Sequence, residues 1–138
     1  MISKKFYDKK VAFIGSGNMA EAIISGFVKY DIINRANIVC NDISQERLQF
    51  ISHKYAVSVQ QDKTKALENA DIIFLAIKPQ QFNFVLEEYS KDISKAKLIV
   101  TIAAGVSTEF VEKKLSKKSV VIRVMPNTPA LVGKGRII

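Results

Sequence analysis

The chain has 138 residues, 48% of them hydrophobic and 25% charged, with a formal net charge of +8. This composition excludes a disordered, collagen-like or disulfide-rich chain, and the length favours one domain with a real core. The longest apolar run, Ile72 to Ile77, has six residues, against the ~20 a membrane helix needs, so no membrane partner is expected.

The first ten residues are basic but carry no apolar stretch before a cleavage site, which argues against a secretory signal. Cys40 is the only cysteine and has no internal disulfide partner, which fits a reducing, cytoplasmic setting. The positive charge is dispersed, and no basic run is interleaved with aromatics as a single-strand binder requires. A solvated lysine-rich surface is therefore the better reading than nucleic-acid binding. Such a surface also draws in anionic ligands such as nucleotides.

In chain order, short β-branched runs alternate with helical patterns. The strand runs are residues 11–14, 38–40, 57–59, 72–77, 98–102 and 120–124. Several are apolar throughout, as strands covered on both faces are. Met19, Ile23 and Phe27 share one helical face, as do Leu48, Ile51 and Tyr55, and Phe82, Val85, Leu86 and Tyr89. Ser44 and Ser107 read as N-caps, and Pro79 suits the first turn of the helix it opens. Residues 61–69 form the weakest helical pattern. This rhythm specifies right-handed crossovers and a single-domain α/β fold: a doubly wound parallel sheet of the Rossmann type, strand order 3-2-1-4-5-6. Ligands in such sheets bind at the carboxyl ends of the strands, where strand order reverses.

The first strand ends in Gly15-Ser16-Gly17-Asn18-Met19-Ala20, a G-x-G-x-x-A turn opening into a helix. Gly15 permits the tight turn, Gly17 lets the backbone approach a pyrophosphate, and Ala20 packs closely. The helix N-terminus then offers unpaired N–H groups to phosphates. A dinucleotide is the expected cofactor. Asp42, on the order of 20 residues past the glycines, is placed to accept bonds from the adenosine ribose. It also suits the cap region of Ser44. No Arg or Lys directly follows Asp42 to hold a 2′-phosphate, although Lys63, after the third strand, is a candidate. The balance favours NADH slightly over NADPH.

The fourth strand leads into Lys78 and Pro79. Lys78 is either a charge for a phosphate or acidic substrate, or a solvent-facing strand end. Ala103, Ala104 and Gly105 let a nicotinamide lie against the backbone or merely pack a turn. Pro126 and Pro129 fix a loop that presents Asn127 and Thr128, either to a substrate or as a structural cap. His53 and Cys40 read as packing or surface residues, and no metal-ligand spacing, nucleophile elbow or P-loop is present. The chemistry must then come from a bound cofactor.

The segments 11–20, 76–80, 101–106 and 121–130 together resemble pyrroline-5-carboxylate reductase, over about Lys10 to Gly135. The last of these segments is the most specific, and it argues against another reductase such as an F420-dependent NADP oxidoreductase. A non-catalytic dinucleotide-binding module is the remaining alternative. The resemblance implies NAD(P)H-dependent reduction of 1-pyrroline-5-carboxylate to L-proline, the last step of proline synthesis. It places Gly15, Ser16, Gly17, Asn18 and Met19 at the pyrophosphate, Ala76, Lys78 and Pro79 along the cofactor groove, and Asn127 near the nicotinamide. Two departures stand out. Family members are longer, with a C-terminal helical domain that dimerises and supplies much of the proline pocket. The family also commonly carries Asn near Lys63. The expectation is therefore a cofactor-binding part, with little turnover on its own.

Overall fold

The computed structural model describes residues 5–103, 105–115 and 119–124. The β-branched runs form six strands: β1 (Val11–Ile14), β2 (Ile38–Asn41), β3 (Ser58–Val59), β4 (Ile72–Leu75), β5 (Leu98–Thr101) and β6 (Val120–Arg123). They make one sheet in the order β3-β2-β1-β4-β5-β6, with every neighbouring pair parallel, as expected. The α-helices among the described residues are α1 (Asn18–Lys29), α2 (Gln45–Tyr55), α3 (Lys63–Leu67), α4 (Phe82–Ile93) and α5 (Thr108–Lys114).

The crossovers put the core in two layers. On one face α1 and α2 close over Phe13, Ile38 and Cys40, burying Ile24 and Ile51. Phe13 stacks on Phe74 with ring centroids 4.6 Å apart, and Phe27 meets Phe74 edge-on. On the other face Leu67, Leu86, Ile93 and Val111 of α3, α4 and α5 pack on Ile73 and Ile99. β1 is buried along its whole length, which explains its unbroken apolar run.

Local chemistry sets the helix starts. The Ser44 and Ser107 hydroxyls accept from the amides of Arg47 and Phe110, both at 3.1 Å. Pro79 opens a 3-10 turn, Pro79–Gln81, that leads into α4.

Three expectations need correction. Met19 does not join the buried face of α1; it is 38% exposed. α1 starts only one residue earlier, so its first turn stands at the sheet's edge, and the buried stripe begins at Ala20. The third strand shrinks to Ser58–Val59, since it sits at the edge and pairs only with β2. The fourth stops at Leu75 rather than Ile77, where the chain passes against Gly15.

Candidate functional site

The carboxyl ends of β1, β2 and β4 border a groove of about 490 Å³, at the point where strand order reverses. Gly15, Gly17, Asp42, Lys63, Ala76 and Lys78 line it, so six residues singled out in the sequence meet here.

The two glycines of the first turn are needed for different reasons. Gly15 has φ +94°, and a Cβ there would lie 2.3 Å from the Ala76 carbonyl oxygen. The protein itself therefore requires Gly15. Gly17 has φ −78°, open to any residue, and a Cβ there would meet nothing within 4 Å. The chain leaves the space above it vacant. The amides of Gly17, Asn18 and Met19 find no acceptor among the described residues, and α1 has no side-chain N-cap. An anion at this helix start would meet N–H donors and the positive end of the helix dipole. The loop thus fits a dinucleotide pyrophosphate.

Ser16 is fully buried and turned away from the groove. Its hydroxyl donates to the Asn41 carbonyl at 3.0 Å, and its amide donates to Asp42 Oδ2 at 2.8 Å. Asp42 Oδ1 accepts from the Ser44 amide, also at 2.8 Å. Asp42 therefore serves the cap region and faces the groove at once. A carboxylate has about four lone-pair sites, so accepting capacity remains for ribose hydroxyls. Lys63 opens α3 directly after the Asp62 N-cap and reaches the groove from the third strand's side.

The β4 end contributes Ala76, Ile77 and Lys78. The Lys78 amide donates to Gln81 Oε1 at 3.1 Å, which holds the turn through Pro79. Pro79 shapes that turn without lining the groove. Ala103 is buried, and its amide donates to Thr101 Oγ1 at 3.4 Å, while Gly105 is exposed with φ +80°. Neither lines the groove, and Asn18 and Met19 stand beside it on the exposed first turn. Ala104, Asn127 and Thr128, with the whole segment 125–130, lie outside the described residues.

Several groove residues carried no sequence signal. Gln81 arrives on the turn into α4, Phe84 on the first turn of α4 itself, and exposed Ile43 on the loop after β2. Asn41 is buried at the end of β2. Its Nδ2 donates to the carbonyls of Gln60 and Gln61, each at 2.9 Å, and its Oδ1 is buried with no partner among the described residues.

Behind the loop, Arg47 Nη2 donates to Glu21 Oε1 at 2.7 Å, and Lys54 and Tyr55 donate to Glu21 Oε2 at 3.1 and 2.6 Å. Burial raises the Glu21 pKa, but the hydrogen bonds from Tyr55, Arg47 and Lys54 outweigh it and hold the carboxyl below its ordinary 4.5. Burial pushes the Cys40 thiol up to about 12, which leaves it protonated and inert. His53 is exposed on the last turn of α2. Among the described residues, no three His, Cys, Asp or Glu side chains gather to hold a metal ion, and no helix is long and apolar enough to cross a membrane.

Residues 10–105, from the start of β1 past the end of β5, match the family described as NADP oxidoreductase coenzyme F420-dependent. The chain belongs to this family. It is also 38% identical to pyrroline-5-carboxylate reductase 1 of Bacillus spizizenii over 129 residues, which is 93% of this chain and 43% of that protein. A solved pyrroline-5-carboxylate reductase from Coxiella burnetii superposes with a TM-score of 0.83 at 38% identity, over 90% of this chain and 46% of that one. The Plasmodium falciparum pyrroline carboxylate reductase, solved with NADP bound, has a TM-score of 0.77 at 26% identity, over 93% and 46%. The chain thus spans less than half the length of these relatives. It is similar to nicotinamide-dependent reductases throughout, and a nicotinamide dinucleotide is the cofactor class of its family.

Proposed function

We propose that this chain is the cofactor-binding part of a cytoplasmic reductase that converts 1-pyrroline-5-carboxylate to L-proline with NAD(P)H. The vacant space over Gly17, faced by unpaired amides, carries the cofactor half of this reading. The similarity to named pyrroline-5-carboxylate reductases supports the substrate half.

When bound, the reduced nicotinamide supplies the hydride. The chain's own residues bind and orient it. The amides of Gly17, Asn18 and Met19 hold the pyrophosphate, and Gly15 lets the loop turn tightly enough to place them. Asp42 accepts from the ribose hydroxyls. A carboxylate beside a 2′-phosphate is a like-charge contact, so Asp42 sets a modest preference for NADH, opposed by Lys63. Lys78 and Ala76 form the opposite wall, and Ser16 braces the loop from within. By the resemblance, Asn127 would lie near the nicotinamide. Among the described residues the titratable groups lining the groove are Asp42, Lys63 and Lys78, each assigned to binding the cofactor, so positioning carries the rate contribution of these residues.

The family's description favours a second reading, in which coenzyme F420 is the redox partner. Calorimetric titration with NADH tests the shared half. Gly17→Val weakens binding at least about tenfold, or ~1.4 kcal/mol; unchanged affinity removes the pyrophosphate assignment. Asp42→Ser shifts preference toward NADPH. A fusion of this chain to the C-terminal half of the Bacillus reductase separates the substrates. NADH oxidation driven by pyrroline-5-carboxylate upholds the first reading, and oxidation driven by F420 alone replaces it with the second.

A further inference from the structure

Arg47 occupies a position that local chemistry disfavours. It is the third residue of α2, where the capping pattern begun by Ser44 normally continues with Glu or Gln. A cation in the first turn opposes the helix dipole, at a cost of about 0.3–1 kcal/mol. Residues that break a local rule mark places where another constraint dominates.

That constraint is visible in the contacts. The Arg47 guanidinium lies 5.0 Å above the Phe50 ring, which fixes its plane. Nη2 binds Glu21 on α1, and Nε donates to the carbonyl oxygen of Ser16. Glu21 is itself held by Lys54 and Tyr55, so the guanidinium has a rigid counter-ion. Arg47 does not line the groove, and these two donors are already committed to protein acceptors.

The Ser16 carbonyl belongs to the same planar trans peptide as the Gly17 amide, so the two point in opposite directions. Holding the carbonyl toward α2 turns the Gly17 N–H away from α2. Gly17 lines the groove, has open space where a Cβ would stand, and has an amide that finds no acceptor among the described residues. We propose that Arg47 is the positioning residue of the pyrophosphate loop: it grips the Ser16 carbonyl so that the Gly17 amide is presented to the groove before any ligand arrives. This rests on the dinucleotide reading above and assigns a role within it to a side chain that never touches the ligand. Lysine cannot substitute, because one ammonium cannot reproduce the planar fork that spans Ser16 and Glu21.

The test compares Arg47→Lys, Arg47→Met and Lys54→Met in the whole chain, with thermal melting to confirm folding. Lys54 shares Glu21 with Arg47 but does not reach the loop. NADH and ADP-ribose, which carry a pyrophosphate, are titrated by calorimetry, and adenosine, which lacks one, by amide chemical shifts. Both Arg47 variants lose at least about tenfold in affinity for NADH and ADP-ribose, equal to ~1.4 kcal/mol. Their adenosine affinity stays near wild type, and Lys54→Met binds all three ligands as wild type does. Wild-type affinity in Arg47→Lys overturns the proposal, because charge alone then suffices. An equal loss toward adenosine overturns it as well, because the effect is then general loosening. If the wild-type chain binds neither NADH nor ADP-ribose, the dinucleotide reading falls and this inference with it. If only the Arg47 variants behave as wild type, this inference falls alone.

Discussion

Both halves of the sheet carry a buried apolar layer, and they differ in how many side-chain hydrogen bonds cross between their elements. From β1 to β3, side-chain hydrogen bonds cross between elements far apart in sequence. Ser16 meets Asn41, Asp42 and Arg47, Glu21 meets Arg47, Lys54 and Tyr55, and Asn41 reaches Gln60 and Gln61. From β4 to β6, cross-element bonds among the described residues are fewer: Lys114 to Glu87, and Ser119 to the carbonyls of Ser94 and Ala96. That half rests mainly on its apolar layer, in which Phe82, Leu86, Ile93 and Ile99 are almost wholly buried. Hydrophobic burial is non-directional and holds a fold together, whereas hydrogen bonds fix angles and distances. The half that builds the glycine turn is the half that spends its polar groups on geometry.

Three substitutions sharpen or break this contrast. Gly15→Ala strikes both kinds of order, because the turn needs a left-handed φ and the Ala76 carbonyl lies where the Cβ would go. We expect a loss of roughly 4 kcal/mol, taking backbone strain and overpacking together, with NADH binding lost, read by chemical denaturation and calorimetry. Leu86→Ala, in the apolar half, costs about 3 kcal/mol through the cavity it leaves. The folded fraction keeps its NADH affinity. A weakened affinity there would show that the apolar half also sets the geometry of the site. The smallest effect belongs to Glu21. Its carboxyl titrates below its ordinary 4.5, so its contribution to stability is full above that value and is lost as pH falls through the lower, folded value. Thermal melting against pH should show a shallower acid limb for Glu21→Gln than for wild type, with little difference in slope near neutrality. Parallel curves would remove Glu21 from the polar network's contribution to stability.

Patterns carried by near neighbours in the chain were legible without coordinates. The alternation of apolar runs and helical stripes specified the strand order, the glycine turn marked the groove, and Ser44 and Ser107 announced their helices. Asp42, Lys63 and Lys78 were placed from strand ends, because a doubly wound sheet directs every strand's carboxyl end to one edge, and Ala76 from the family resemblance. Other features depended on distances that only the assembled crossovers set. Met19 matched the helical period yet lies exposed, since periodicity does not say where the sheet ends. Asn41 reads as one more polar residue until β3 brings the Gln60 and Gln61 carbonyls to it. Arg47 reads as a solvated helical cation until α1 and α2 pack side by side and bring Glu21 and the Ser16 carbonyl, 26 and 31 residues away in sequence, within bonding distance. Sequence period determines which face of an element is apolar. The packing of elements decides which polar groups on those faces find one another, because a hydrogen bond forms only over about 3 Å and within a narrow angle.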